Sequence, residues 1–230
     1  MRDWISYFDS DHPIYVNARH RAVHAAIVAR DMLVHIPQGA RVLDYGCGEA
    51  LHADAIAARA GNLILCDAAP HVSANLAKRF AGSGKVNVMA PAEVAALPDA
   101  CLDVIVLHSV AQYLSEAQAD EFFALFHRLL KPSGIFVLGD IVKPEVGAAT
   151  DALALLRLGA MNGFFIAAVM GLIRTLLSGY WQLRQSAGLT RYRETVMIGK
   201  LRRAGLEGQR AAHNIGHNQA RMTFIARRLG

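Results

Sequence analysis

The residues best placed to do chemistry sit at the end of a short apolar run, where Leu43-Asp44-Tyr45-Gly46-Cys47-Gly48-Glu49 follows RV. Two glycines one residue apart allow a tight turn and let a ligand come close to the backbone. A second carboxylate, Asp67, ends the run NLILCD, 23 residues after Asp44. That offset is near the ~20 residues at which an acid closing a second strand can bind ribose hydroxyls. A dinucleotide fingerprint would need a third glycine at position 51, which is leucine. The pattern therefore offers nucleoside-type recognition and disfavours a dinucleotide oxidoreductase.

Proton chemistry has its own candidates. His108 and Ser109 close the run LDVIVLHS, and Asp140 interrupts the end of GIFVLGDIV. A carboxylate there would face a cleft, or would cap the segment after it. Tyr113 and the pair His213 and His217 are further candidates near the same mouth. His20 and His24, like His213 and His217, are four apart, a spacing that suits a metal on a helix. Neither pair has a third ligand nearby, so no metal is expected, and His20 and His24 read as a surface helix face. The three cysteines, Cys47, Cys66 and Cys101, show no zinc spacing. Cys47 reads as a small packing residue.

These residues need elements to hold them. RVLDY (41–45), NLILCD (62–67), VNVMA (86–90), LDVIVLHS (102–109) and GIFVLGDIV (134–142) are continuous apolar runs of strand length. Between them lie helical stretches at 50–61, 70–80 and 115–130. The second opens on Pro70, a good first-turn residue; the third has Ser115 as its cap and Lys131-Pro132 as its stop. Strand and helix in alternation, with buried strands, predict a doubly wound, mostly parallel Rossmann-like α/β sheet with helices on both faces. A helical stretch at 13–36 precedes it. After it come a long segment, 144–190, a helix near 191–204 and two β-like halves around 214–219. These halves read as a C-terminal antiparallel hairpin, giving seven strands in one domain over 1–230.

VLDYGCGEA, LILCDAAP, the AEVAALPDACLDVIVLHSV run and LLKPSGIFVLGDI together resemble the class I S-adenosylmethionine-dependent methyltransferases. The resemblance covers about 38–142 and the closing hairpin, and it implies S-adenosyl-L-methionine as cofactor. It implies that Asp44 orients the glycine turn and the cofactor's amino group. The Gly46-Cys47-Gly48 backbone would pack on the methionine moiety, which carries no pyrophosphate and so needs no third glycine. Asp67 would accept both ribose hydroxyls, with Ala68 beside the adenine and Ala92 and Glu93 at its edge. Pro91 stands where the family often has an aspartate. His108 would line the floor near the sulfonium, with His108 and Asp140 as the candidate catalytic groups. The stretch YFDSDHPIYVNARHRAVH resembles the family's N-terminal lid, from which Tyr15 and Arg19 could reach the methionine carboxylate.

Composition bounds the partners. The chain is 53% hydrophobic and 19% charged, with a mean hydropathy of +0.25, which excludes a disordered or fibrous chain. Its net charge of +5 is uneven: from Arg174 onward eleven Lys and Arg face two acids, +9, leaving −4 before it. Such a basic end attracts anions. No aromatic-interleaved basic patch or nucleic-acid module appears, which counts against nucleic acid as a partner.

Residues 158–173, LGAMNGFFIAAVMGLI, carry no charge between Arg157 and Arg174. As a helix they would span roughly 24 Å, short of the ~30 Å bilayer core. The segment reads as an apolar lid over the acceptor or a helix lying in a membrane interface, with a homodimer through 152–177 as competitor. Followed by SGYWQLRQ and basic residues, it points to a hydrophobic small-molecule or lipid-like acceptor, held at an anionic membrane surface in one version. An acidic, aromatic N-terminus and unpaired cysteines suggest a cytoplasmic protein, peripheral at the inner face of a membrane. An RNA or protein methyltransferase using the basic end, and a cofactor-binding protein without turnover, remain the alternatives.

Overall fold

A computed structural model describes residues 2–10, 15–176 and 188–229. In chain order the elements are α1 (Arg2–Phe8), α2 (Ala18–Leu33), β1 (Arg41–Tyr45), α3 (Ala53–Arg59), β2 (Asn62–Cys66), α4 (Pro70–Phe80), β3 (Val86–Met89), α5 (Pro91–Ala95), β4 (Leu102–His108), α6 (Glu116–Leu129), β5 (Leu130–Ile141), α7 (Ala148–Asn162), α8 (Phe165–Leu176), α9 (Glu194–Arg203), β6 (Leu206–Arg210) and β7 (Met222–Arg228). One turn of 3-10 helix, Ala111–Tyr113, follows β4.

The strands form one seven-stranded sheet in the order β3-β2-β1-β4-β5-β7-β6. β1 to β5 run parallel, and β7 is antiparallel to both β5 and β6. Chain order reverses between β1 and β4, so a crevice opens outside their carboxyl ends, where ligands bind in such sheets. Because β7 opposes β5, the β6–β7 turn returns to that same end.

Alternation along each strand builds two core layers. Val42, Leu63, Val104 and Val137 face Val28 and Met32 of α2, Ile56 of α3 and Leu76 of α4. Leu43, Ile64, Ile105 and Phe136 face Phe123 and Phe126 of α6 and Met197 and Leu201 of α9. α6 starts at Ser115, whose hydroxyl accepts from Gln118 N while Gln118 Oε1 accepts from Ser115 N. This is the reciprocal cap that the sequence advertises.

The helix expected over 13–36 begins only at Ala18, because Asn17 Oδ1 accepts from His20 N at 2.8 Å and sets the cap there. The helix expected over 50–61 shrinks to Ala53–Arg59; Ala50 sits at φ +45°, which a helix cannot continue through. The apolar segment after β5 forms two helices, α7 and α8. Leu158, Phe164 and Ala168 pack them against Val16, just before α2, and against Val23 and Ile27 within it. A Cβ at Gly171 would overlap the Val16 side chain, so glycine there lets α8 close onto the chain leading into α2. The SGYWQLRQ stretch lies outside the described residues. Among those described, no helix is long and apolar enough to cross a membrane.

Phe126 is fully buried against Tyr45 and Phe136, with ring centroids 5.4 and 5.1 Å away. Phe126→Ala is expected to cost about 3–5 kcal/mol through lost contacts and the cavity left behind. Urea unfolding measures it; a cost under about 1 kcal/mol would mean this layer is loosely packed.

Candidate active site

The turn after β1 is built around Gly46, at φ +74°, where a Cβ would overlap Val110 Cγ2. Only glycine meets both demands. Gly46 N and Cys47 N both donate to Cys66 O, at 2.7 and 3.2 Å, so the turn is lashed to the end of β2. Asp67 begins the next turn. Its Oδ2 accepts from Gly48 N and its Oδ1 from Ala69 N, both at 2.9 Å. Ser73 Oγ donates to Asp67 O at 2.9 Å and steadies the peptide. Each carboxylate oxygen keeps an open acceptor position, and among the described residues no cation pairs with Asp67. Burial pushes the Asp67 carboxyl above the usual range, and neighbouring Asp44 adds to this, against the pull of the backbone donors. A partly buried carboxylate with free lone pairs in a cleft suits neutral donors such as hydroxyls.

Asp44 is buried, 2% exposed, and its Oδ2 lies 2.8 Å from His52 Nε2. It is thus tied to the start of α3, beneath the turn. Burial pushes the Cys47 thiol well up, and Asp44 and Asp67 push it further, so it is no nucleophile at neutral pH. Ala68 is exposed beside Asp67. Ala92 and Glu93 fall within α5, where a loop was expected. Pro91 is its first residue, and Glu93 Oε2 accepts from Ala90 N at 2.7 Å. Proline at position 91 therefore starts a helix, and the Glu93 carboxylate is engaged in capping it.

The N-terminal helix and Asp9 reach from the turn after β4 to the start of α4. Trp4 and Phe8 of α1 pack on Tyr113, with centroids 4.5 and 5.2 Å away. Asp9 accepts from His71 N at the start of α4, and its Oδ2 lies 2.7 Å from His71 Nδ1. Tyr15 stands near the glycine turn: burial first, then Glu49, pushes its hydroxyl up to about 12, with Arg21 opposing. Arg19 goes elsewhere, its Nε donating to Asn162 O at the end of α7.

At the ends of β4 and β5, His108 Nε2 lies 3.3 Å from Ile215 O, and its Nδ1 lies 3.2 Å from Ser109 Oγ. Asp140 does not stand free. Its Oδ2 accepts from Ser109 Oγ at 2.7 Å and from Arg221 Nη1 at 2.6 Å, and its Oδ1 from Asn214 Nδ2 at 3.2 Å. Arg221 also donates to Gln112 Oε1 and, through Nη2, to Asp151 of α7. Burial raises the Asp140 carboxyl, but Arg221, His108, Ser109 and Asn214 outweigh it and hold it below the usual range. Ser109 and Asp140 adopt φ of +58° and +66°, local strain that the network holds in place.

The histidines expected on a helix surface are gathered inside. His20 is 6% exposed; its ring centroid lies 6.2 Å from His24 and 6.5 Å from His217, and His24 and His217 are 6.0 Å apart. Tyr15 packs on His20 and His24 at 5.4 and 5.6 Å, and Phe164 stacks on His20 at 5.2 Å. Burial lowers His20 to about 4, with His217 adding to it. Burial and then His108, His217 and His20 lower His24 to about 3, with Asp140 opposing. These imidazoles are neutral at pH 7. His20 Nε2 is buried and finds no hydrogen-bond partner among the described residues. Among the described residues no group of three or more His, Cys, Asp or Glu is placed to hold a metal. His213 is exposed on the loop and does not join.

Sequence reasoning missed this assembly, and with it Arg221 and Asn214. The i, i+4 spacing of His20 and His24 was the visible signal; their partner, His217, comes from a turn near the other end of the chain.

The strand order, the glycine turn and the acid after β2 define the class I S-adenosylmethionine-dependent methyltransferase fold. Residues 43–138, less than half of the chain, match the family model described as a methyltransferase domain. The fold is similar to that of the N-methyltransferase NodS from Bradyrhizobium japonicum WM9 in complex with S-adenosyl-L-homocysteine. Identity is 16% over 98% of this chain and 96% of that one, with a TM-score of 0.59. Magnesium protoporphyrin IX methyltransferase from Synechocystis PCC 6803 gives 15% identity, 99% and 94% coverage and a TM-score of 0.58. Human N-acetylserotonin methyltransferase gives 12%, 90% and 52%, and 0.57. A search of curated proteins returns no match to the sequence.

Two outcomes are expected of this geometry. Asp140→Ala leaves a buried guanidinium half-paired and should cost about 3 kcal/mol; the Asp140→Ala/Arg221→Met double variant should recover part of that. A double variant less stable than the single one would contradict the pairing. The second concerns acid. His20 and His24 are neutral when folded but take up protons near pH 6.5 when unfolded, so stability falls as pH drops below about 6.5. Urea midpoints between pH 6.5 and 4.5 should change less steeply in His24→Gln; an unaltered slope would show that His24 titrates normally.

Proposed function

We propose that the chain transfers a methyl group from S-adenosyl-L-methionine, in line, to a hydrophobic small-molecule or lipid-like acceptor. The observation that carries this reading is the Asp67 carboxylate, pinned by Gly48 N and Ala69 N with two acceptor positions open beside a glycine turn. Those residues fit the cofactor: Asp67 for the ribose hydroxyls, Ala68 beside the adenine, and the Gly46-Cys47-Gly48 backbone and Tyr15 on the methionine side. When bound, the cofactor supplies an electrophilic methyl on a sulfonium, and the protein supplies position.

The chain's own residues then have three tasks. α1, with Trp4 and Phe8 on Tyr113, keeps water from the cleft. His108 lines its floor, held by Ser109 and Ile215 O. Asp140 acts through Ser109, Asn214 and Arg221, so it is a positioning residue and not a base. The His24 and His217 imidazoles are unprotonated at pH 7, and the burial that keeps them so also makes them weak bases.

The acceptor's chemistry is read from α7 and α8. Met161, Phe165, Ile166, Met170 and Ile173 all stand exposed, on a segment bracketed by Arg157 and Arg174. Such a face favours a lipophilic acceptor and contact with an anionic membrane surface.

Calorimetric titration tests the cofactor reading. S-adenosylmethionine should bind and NAD should not, and Asp67→Ala should weaken the former by about tenfold or more, as the loss of hydrogen bonds to a carboxylate predicts. No binding of S-adenosylmethionine at millimolar concentration would overturn the reading.

A further inference from the structure

Beyond the cofactor cleft, the described residues line an open groove of about 600 Å³ between the start of α2 and the α7–α8 pair. That volume suits a small molecule. Its walls include Val16, Phe164, Ala167 and Met170, Gly163 lies on one side, and Arg174 is its charged lining residue. Among the described residues that line it none is a carboxylate. Arg174 forms no ion pair among the described residues. A second guanidinium, Arg19, lies against Gly163, within 3.6 Å of where a Cβ would stand. The groove is thus apolar along its length and cationic at its edge, and it opens beside the exposed Phe165 and Ile166.

Phe164 joins this groove to the interior. It is 3% exposed, lines the groove and stacks on His20 at 5.2 Å. From His20 a row of rings continues through His24 and His217 towards His108, whose Nε2 would lie 3.9 Å from a Cβ on Gly216. A molecule seated in the groove therefore lies against the aromatic wall that runs to the floor of the cleft.

We infer that the groove binds one molecule of an anionic amphiphile, its hydrocarbon chain between α2 and α8 and its carboxylate or phosphate paired with Arg174. A cleft of this size and concavity takes a chain better than it takes a second copy, because a stable protein interface needs roughly 800 Å² of surface from each partner. The charge separates an acid from an alcohol of equal length: burying a chain is indifferent to charge, whereas a carboxylate gains from a guanidinium beside an apolar wall. This deepens the acceptor reading above and rests on it only for the use made of the bound molecule.

Decanoate, below its micellar concentration, is the probe, with decanol as its uncharged counterpart and vesicles of phosphatidylglycerol as a bilayer. Calorimetry of the full chain should find one decanoate site. Arg174→Gln should weaken decanoate about fivefold or more while changing decanol less than twofold, with the melting temperature held. Ala167→Trp, which fills the groove, should weaken both; Met170→Trp serves the same end if that variant folds poorly. Absence of decanoate binding, equal losses for acid and alcohol in Arg174→Gln, or binding to vesicles alone would each overturn the inference. S-adenosylhomocysteine titrated into the same preparation separates a failure here from a failure of the cofactor reading.

Discussion

A largely shielded guanidinium has to be neutralised, and around Arg221, 12% exposed, that requirement ties together the carboxyl end of the sheet. Arg221 leads into β7, which follows β5 only as an antiparallel neighbour. Its charge is met by Asp140 at the end of β5 and by Asp151 in α7, with side-chain exposures of 12%, 14% and 19%. Asp140 in turn holds Ser109 after β4 and Asn214 in the β6–β7 turn. Four separate segments are thereby fixed by one charge network, and removing a member leaves another unpaired. Two residues on this seam pass through left-handed backbone, which ordinary side chains adopt only where the surroundings insist.

The network also decides which groups are free to act. A carboxylate at the end of β5 looks like a base in isolation, yet Asp140 is engaged on every side. The free acceptor in the cleft is Asp67, held by backbone donors at 2.9 Å. The neutral imidazoles are the other available acceptors, and they owe their neutrality to burial and mutual repulsion.

The five parallel strands, the cap at Ser115, Pro70 at the head of α4 and the Asp44–Asp67 pair were all legible in the sequence, because each depends on local periodicity or a short offset. α5 was not, since Pro91 was read as a departure from a motif when it opens a helix. The histidine wall was not, because His20, His24 and His217 meet only once the α7–α8 pair and the β6–β7 turn have folded onto α2. Nor was the role of Asp140, whose partners lie 31 and 81 residues away. Local signals specify elements; the long-range partners of a polar group are set by topology.

Asp67 is the proposed ribose ligand, and a crystal structure with S-adenosylhomocysteine tests that most directly. Both ribose hydroxyls should donate to the Asp67 carboxylate while Gly48 N and Ala69 N keep their bonds to it. A ribose bound away from Asp67, or a carboxylate turned out of the cleft, would contradict it.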